Sequence, residues 1–86
     1  MITEQELKEI EQRVNNAQAG PWKAFIEGRD HESGSDFIMT GPDGNRGEDI
    51  EMSGATDADY DFIANARQDI PRLIKEIRAL IRNSST

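Results

Sequence analysis

Apolar residues recur at helical spacing near both ends of the chain, while glycine and proline punctuate the middle. This arrangement limits the fold more than any other feature of the sequence. At the N-terminal end, Thr3 followed by Glu6 forms a capping-box pattern, and Ile2 with Leu7 has the spacing of a hydrophobic staple. The pattern predicts a helix starting at Glu4, with Leu7, Ile10, Val14 and Ala17 along one buried face. Ala19-Gly20-Pro21 should stop it, with Gly20 in the left-handed conformation and Pro21 unable to continue the ladder.

Beyond the stop, Trp22–Glu27 alternates and predicts a first strand with Trp22, Ala24 and Ile26 on the buried side. Gly28–Ser35 has no periodicity and is expected to be a loop. Asp36–Thr40 predicts a second strand, and Gly41-Pro42-Asp43-Gly44 a tight turn. A return strand is expected from Gly47 to Ser53, with Ile50 and Met52 inward and Asp49 and Glu51 outward. Thr56 then caps a further helix whose first turn holds Asp57 and Asp59, where the helix dipole favours negative charge, and whose apolar face is Phe62, Ile63 and Ala66. Pro71 disfavours helical geometry at Ile70, so either the helix ends near Gln68 and a new one starts around Pro71, or one long helix is kinked there; the break is favoured. A last helix carrying Leu73, Ile74, Ile77, Leu80 and Ile81 follows it, and residues 83–86 should fray. The fold class is α+β in the order α-β-β-β-α-α, with an antiparallel sheet of about three strands.

All 86 residues are expected in a single domain, 1–86, since a chain this short buries only roughly 60–65% of its unfolded surface and has nothing left for a second core. With no cysteine, neither disulfides nor thiolate metal sites reinforce that core, and thiol catalysis is excluded. No stretch approaches the roughly 20 apolar residues that span a bilayer. Met1–Glu11 carries four glutamates where a secretory leader needs a positive start. A cytoplasmic protein is expected.

The net charge of −7 argues against direct nucleic-acid binding, which needs Lys and Arg to displace phosphate counterions. Charge is also unevenly distributed. Residues 1–66 hold 15 acids against 5 bases, whereas residues 67–86 hold 2 acids against 5 bases, including Arg78. The basic helix is a solvated face that suits the C-terminal end of its own dipole, or a contact for an acidic surface such as a second copy.

Catalytic and metal motifs fail on inspection. Asp57-Ala58-Asp59-Tyr60-Asp61 opens like a calcium-binding loop, but Phe62 stands where glycine is required and Gln68 where the closing glutamate is required. His31, the only histidine, lies in the Gly28–Ser35 loop between Asp30 and Glu32, and reads as a loop residue rather than a metal ligand or base. Ser33, Ser35 and Ser53 lack the setting of a nucleophile, and the Gly41–Gly47 segment lacks the lysine of a phosphate loop. No cofactor or metal is expected. Trp22 reads first as a core anchor. With Arg29 and Arg46 it forms the candidate site for an anionic, nucleotide-like ligand. The carboxylates of Glu48, Asp49, Glu51, Asp57, Asp59 and Asp61 raise a third idea, mimicry of nucleic acid. Ile70, Leu73, Ile77 and Leu80 step by three, four and three, the rhythm of a coiled-coil seam, with Ile74 and Ile81 widening it. Together with Arg78 they form a candidate dimer interface, since a small domain gains from sharing its core.

Ala19-Gly20-Pro21-Trp22 and the run Asp59–Pro71 leading into Leu73-Ile74 resemble a pattern in small phage and prophage proteins, the Ead-like early phage proteins and short reading frames of mobile elements. The order is the same: amphipathic helix, Gly-Pro-Trp, short strands, helix, Asp-x-Pro and terminal coil. The two pieces span about a third of the chain, and residues 23–54 fall outside the pattern. The resemblance implies a context, an accessory gene of a phage or integrated element, and carries over no functional residue. Short acidic proteins in that setting commonly work by binding, for example by blocking a host enzyme. The expected function is therefore non-enzymatic binding of a host protein partner, as a homodimer. An anion-sequestering role is the alternative.

Overall fold

The computed structural model describes residues 1–84. Its elements are α1 (Glu4–Asn16), β1 (Trp22–Phe25), β2 (Phe37–Thr40) and α2 (Asp57–Ser84). The class is α+β: an N-terminal helix, a two-stranded antiparallel sheet and one long C-terminal helix. The molecule is elongated, 55 × 27 × 18 Å, because α2 runs along it as a spine.

α1 begins as its sequence dictates. Glu6 N–H donates to the Thr3 hydroxyl at 3.1 Å, and Thr3 N–H donates to the Glu6 carboxylate at 2.9 Å. Leu7 is fully buried, Ile10 and Val14 are half-buried, and Ala17 is exposed. The helix stop differs from the expectation. Ala17 is already extended, its N–H bonded to the Val14 carbonyl, and Gly20 takes no left-handed angle.

β1 and β2 pair with Trp22 opposite Thr40 and Phe25 opposite Phe37. One face of this sheet, with Ala24, Ile26 and Ile38, packs on Tyr60 and Ala64 of α2. The expected third strand is reduced to one bridge, Ile38 to Ile50, closed by bonds of 2.8 and 3.0 Å. Side chains have taken the places of the neighbouring ladder rungs. At one end the buried Thr40 hydroxyl donates to the Glu48 carbonyl at 2.8 Å, while Gln18 Oε1 accepts from the Glu48 N–H at 2.8 Å. At the other end the Tyr60 hydroxyl sits between Asp36 and Met52. It accepts from the Met52 N–H at 2.9 Å and lies 3.1 and 3.2 Å from the Met52 and Asp36 carbonyls. The turn between β2 and the return segment is held by Asn45 N–H on the Pro42 carbonyl. Gly41 has φ +85°, and a Cβ there would lie 2.7 Å from the Asn45 carbonyl oxygen, so only glycine fits.

The expected break at Pro71 is absent: α2 is one helix of 28 residues, and Asn83 and Ser84 belong to it rather than fraying. Ser85 and Thr86 of the expected tail lie outside the described residues. Tertiary packing overrides the proline. The inward stripe of α2 is Tyr60, Ala64, Arg67, Pro71, Ile74, Arg78 and Ile81, buried or half-buried at alternating steps of four and three. Before Pro71 it is anchored on the sheet. After it, the stripe is anchored on α1, where Arg78 reaches Glu4 at 2.9 Å and Glu11 at 2.7 Å. Breaking the helix would detach one anchor, so packing on both sides of Pro71 offsets the about 3 kcal/mol an internal proline costs. The expected apolar face Phe62, Ile63 and Ala66 is also displaced: Tyr60 and Ala64 point inward, and Phe62 is 75% exposed.

Candidate functional site

Two surfaces carry the candidate residues. The first is the outer face of the sheet, where register places Lys23 and Phe25 of β1 beside Met39 and Phe37 of β2. α2 packs only on the opposite face, and here Phe25, Phe37 and Met39 remain half-buried. The Phe25 and Phe37 rings stack with centroids 5.4 Å apart, the Lys23 ammonium sits 5.2 Å over Phe25, and His31 tilts against Phe37. A groove of about 490 Å³ crosses this face, lined by Trp22, Lys23, Phe25, Met39, Asp43 and Arg46 among others.

Trp22 and Arg46, two of the three residues expected to hold an anion, thus share one groove. Arg46 is already engaged there by the Asp43 carboxylate and the Gly41 carbonyl. Trp22 is half-buried, its indole N–H on the Gln18 carbonyl at 3.2 Å and the Arg67 guanidinium 6.0 Å from its ring. Arg29 lies elsewhere. It makes a two-bond fork to Asp61 at 2.9 Å each and a further bond to Asp30, tying the 28–36 loop to α2. The Asp61 and Asp30 carboxylates hold the Arg29 guanidinium charged well above its usual range, and Arg29 in turn lowers both carboxyls, with the Ile26 N–H adding to the effect on Asp30. Arg29 is a structural clasp.

The second surface is on α2. Of the expected dimer residues, Ile74 is buried in the monomer and Arg78 is bound to α1, where Glu11 and Glu4 raise its pKa and Arg78 lowers that of Glu11. Ile81 is half-buried. Ile70, Leu73 and Leu80 stand 37%, 58% and 67% exposed, and Ile77 is half-buried at the edge of an apolar groove with Met1 and Ile2. Because the helix runs through Pro71, the three-four rhythm continues backwards to Ala66 and Ile63, which the sequence reading assigned to a separate helix. The signal was present in the spacing and was hidden by the assumed break.

The carboxylates considered for nucleic-acid mimicry are dispersed in role. Asp61 holds Arg29, Asp59 closes a reciprocal cap with Thr56 at 3.0 and 3.1 Å, and Glu51 accepts from Ser35. His31 is half-buried with Nδ1 2.6 Å from the Ser33 carbonyl. Among the described residues no helix is long and apolar enough to cross a membrane. No family model, curated protein or solved structure matches the chain.

Proposed function

We propose that this chain is a non-enzymatic accessory protein of a phage or mobile element, acting in the cytoplasm as a homodimer that binds a protein of the host cell. The phage context rests on the resemblance of Ala19–Trp22 and Asp59–Pro71. The observation that carries the binding role is the outer sheet face: Phe25, Phe37 and Met39 form a half-buried apolar patch that no helix covers among the described residues. Beside it Arg46 is engaged by Asp43, and the body around it is acidic. An apolar contact inside an acidic field suits a partner with a basic rim, whose approach is electrostatically steered.

Affinity capture from host lysate tests this reading. Wild-type bait is expected to retain one host protein at low salt, and bait with Phe25→Thr and Met39→Thr to lose it; threonine keeps the strand propensity while removing the apolar surface. Capture that is indifferent to the two substitutions sinks the proposal. The convergence of Trp22, Lys23 and Arg46 in one groove favours an anionic ligand as the second reading. A nucleotide bound there would raise the melting temperature of the isolated protein, and no shift at millimolar nucleotide rejects it.

A further inference from the structure

The α2 helix carries two apolar stripes, and the fold uses one. The inward stripe is consumed by the sheet and α1. The second consists of Ile63, Ala66, Ile70, Leu73, Ile77 and Leu80, at steps of three, four, three, four and three. Four of its six members are exposed, Ile63 at 36%, Ile70 at 37%, Leu73 at 58% and Leu80 at 67%, while Ala66 and Ile77 are half-buried. A strict repeat of this kind keeps a seam facing one helical neighbour over its whole length. A helix with two such stripes side by side has the surface of a bundle member, and within the chain α1 supplies only one of its helical neighbours.

We infer that the second stripe is the seam of a twofold homodimer in which two α2 helices pack antiparallel. The occupant is a second copy because the surface is self-complementary in shape and in charge. Towards the N-terminal end of α2 the seam borders a groove against α1, lined by Ile10, Val14, Ala17, Ile63, Ala66 and Ile70, where the alanines leave room. Its C-terminal end presents the projecting Leu73 and Leu80, with Ile77 half-buried between them. A twofold axis between Ile70 and Leu73 lays the projecting half of each copy along the recessed half of the other, setting Leu80 against Ile63 and Ile77 against Ala66 of its mate.

Charge selects the antiparallel orientation. Residues 22–66, which build the sheet end, hold 11 acids against 3 bases, whereas residues 67–84 hold 2 acids against 5 bases. A parallel pair would set the two acidic ends side by side. An antiparallel pair separates them by much of a 28-residue helix, about 42 Å long and several Debye lengths at physiological salt, and places each beside the basic half of the other α2. This deepens the reading of the protein as a homodimer and leaves the outer sheet faces free at the two ends of the assembly.

Light scattering on the full chain and disulfide mapping together test the inference. Wild type is expected to be dimeric at high micromolar concentration. Leu73→Glu, which puts two charges into the seam of each dimer, should raise the dimer Kd about a hundredfold or more while leaving the helical circular dichroism intact, since Leu73 is exposed in the monomer. Lys75→Glu, on the solvent side of the same turn, should leave the dimer in place. The absence of native cysteine makes mapping specific: Ile63→Cys mixed with Leu80→Cys should yield a crossed disulfide. A monomeric wild type overturns the dimer, and so does a Leu73→Glu variant as dimeric as wild type. Homotypic 63–63 and 80–80 disulfides overturn the antiparallel arrangement. Loss of the dimer with sheet-dependent host capture preserved would strike the homodimer and leave host binding standing, and the converse would strike host binding and leave the homodimer standing.

Discussion

The side-chain amide of Gln68 brackets the backbone of Trp22, with Oε1 accepting from the Trp22 N–H at 2.8 Å and Nε2 donating to the Trp22 carbonyl at 3.0 Å. One helical side chain thereby does for β1 what a neighbouring strand would do. The same edge is closed further along, where the Ile26 N–H donates to Asp30 at 2.9 Å. An open edge invites pairing with another chain, so these two caps direct association away from the strand edge.

Gln68→Ala removes both bonds at once and uncovers the edge of β1. Urea unfolding should show a loss of about 1–2 kcal/mol, the range for two backbone groups left to partial solvent. A change near zero would mean that water replaces the amide fully.

Tyr60→Phe deletes the hydroxyl that joins Met52 to Asp36, at a residue only 3% exposed. The Met52 N–H is then left without its acceptor, and a loss of about 1–3 kcal/mol is expected in the same assay. Hydrogen exchange at Met52 should rise before that of the β1 and β2 amides, because the hydroxyl acts on the return segment.

Pro71→Ala should stabilise the chain. Alanine restores the donor that the Arg67 carbonyl lacks and removes the ring from the path of the helix, a gain of up to about 3 kcal/mol set against lost packing of the half-buried ring. The net expectation is a gain of about 1–2 kcal/mol with unchanged helix content by circular dichroism. A loss of stability would show that packing of the ring outweighs the missing bond.

Acid should loosen the molecule at two clasps. Asp30 and Asp61 are held low by Arg29, and Glu11 by Arg78, so their folded pKa values lie below the unfolded ones. Such groups stabilise the fold fully above the unfolded carboxylate range, and the contribution disappears as pH falls through the folded values. Melting temperature is thus expected to be flat near neutrality and to drop below about pH 4. Arg29→Gln should make that drop shallower, because Asp61 then loses the charge that lowers it and Asp30 keeps only its bond from the Ile26 N–H.

Local signals were read correctly where the partners lie within a turn of each other. The Thr3–Glu6 cap, the Thr56 cap with Asp59, the turn after Gly41 and the alternation that buries Ala24 and Ile26 all act over a few residues. Of the candidate residues, Trp22 and Arg46 line one groove, and Ile70, Leu73 and Leu80 stand exposed. Arg29, expected beside Trp22 and Arg46, instead holds Asp61, 32 positions away, a pairing that no local spacing announces. The third strand failed for the same reason, since Gln18 takes the Glu48 N–H across 30 positions.

By itself the amino-acid order determined where α1 starts, where the chain turns and which residues of β1 are buried, because these follow from backbone geometry and the spacing of neighbours. Tertiary packing alone decided that α2 passes through Pro71, that Tyr60 and Gln18 stand in for ladder rungs, and that one apolar stripe of α2 stays uncovered. These outcomes depend on energies shared between distant residues, with anchors on the sheet and on α1 together exceeding what a single proline or a frayed rung costs.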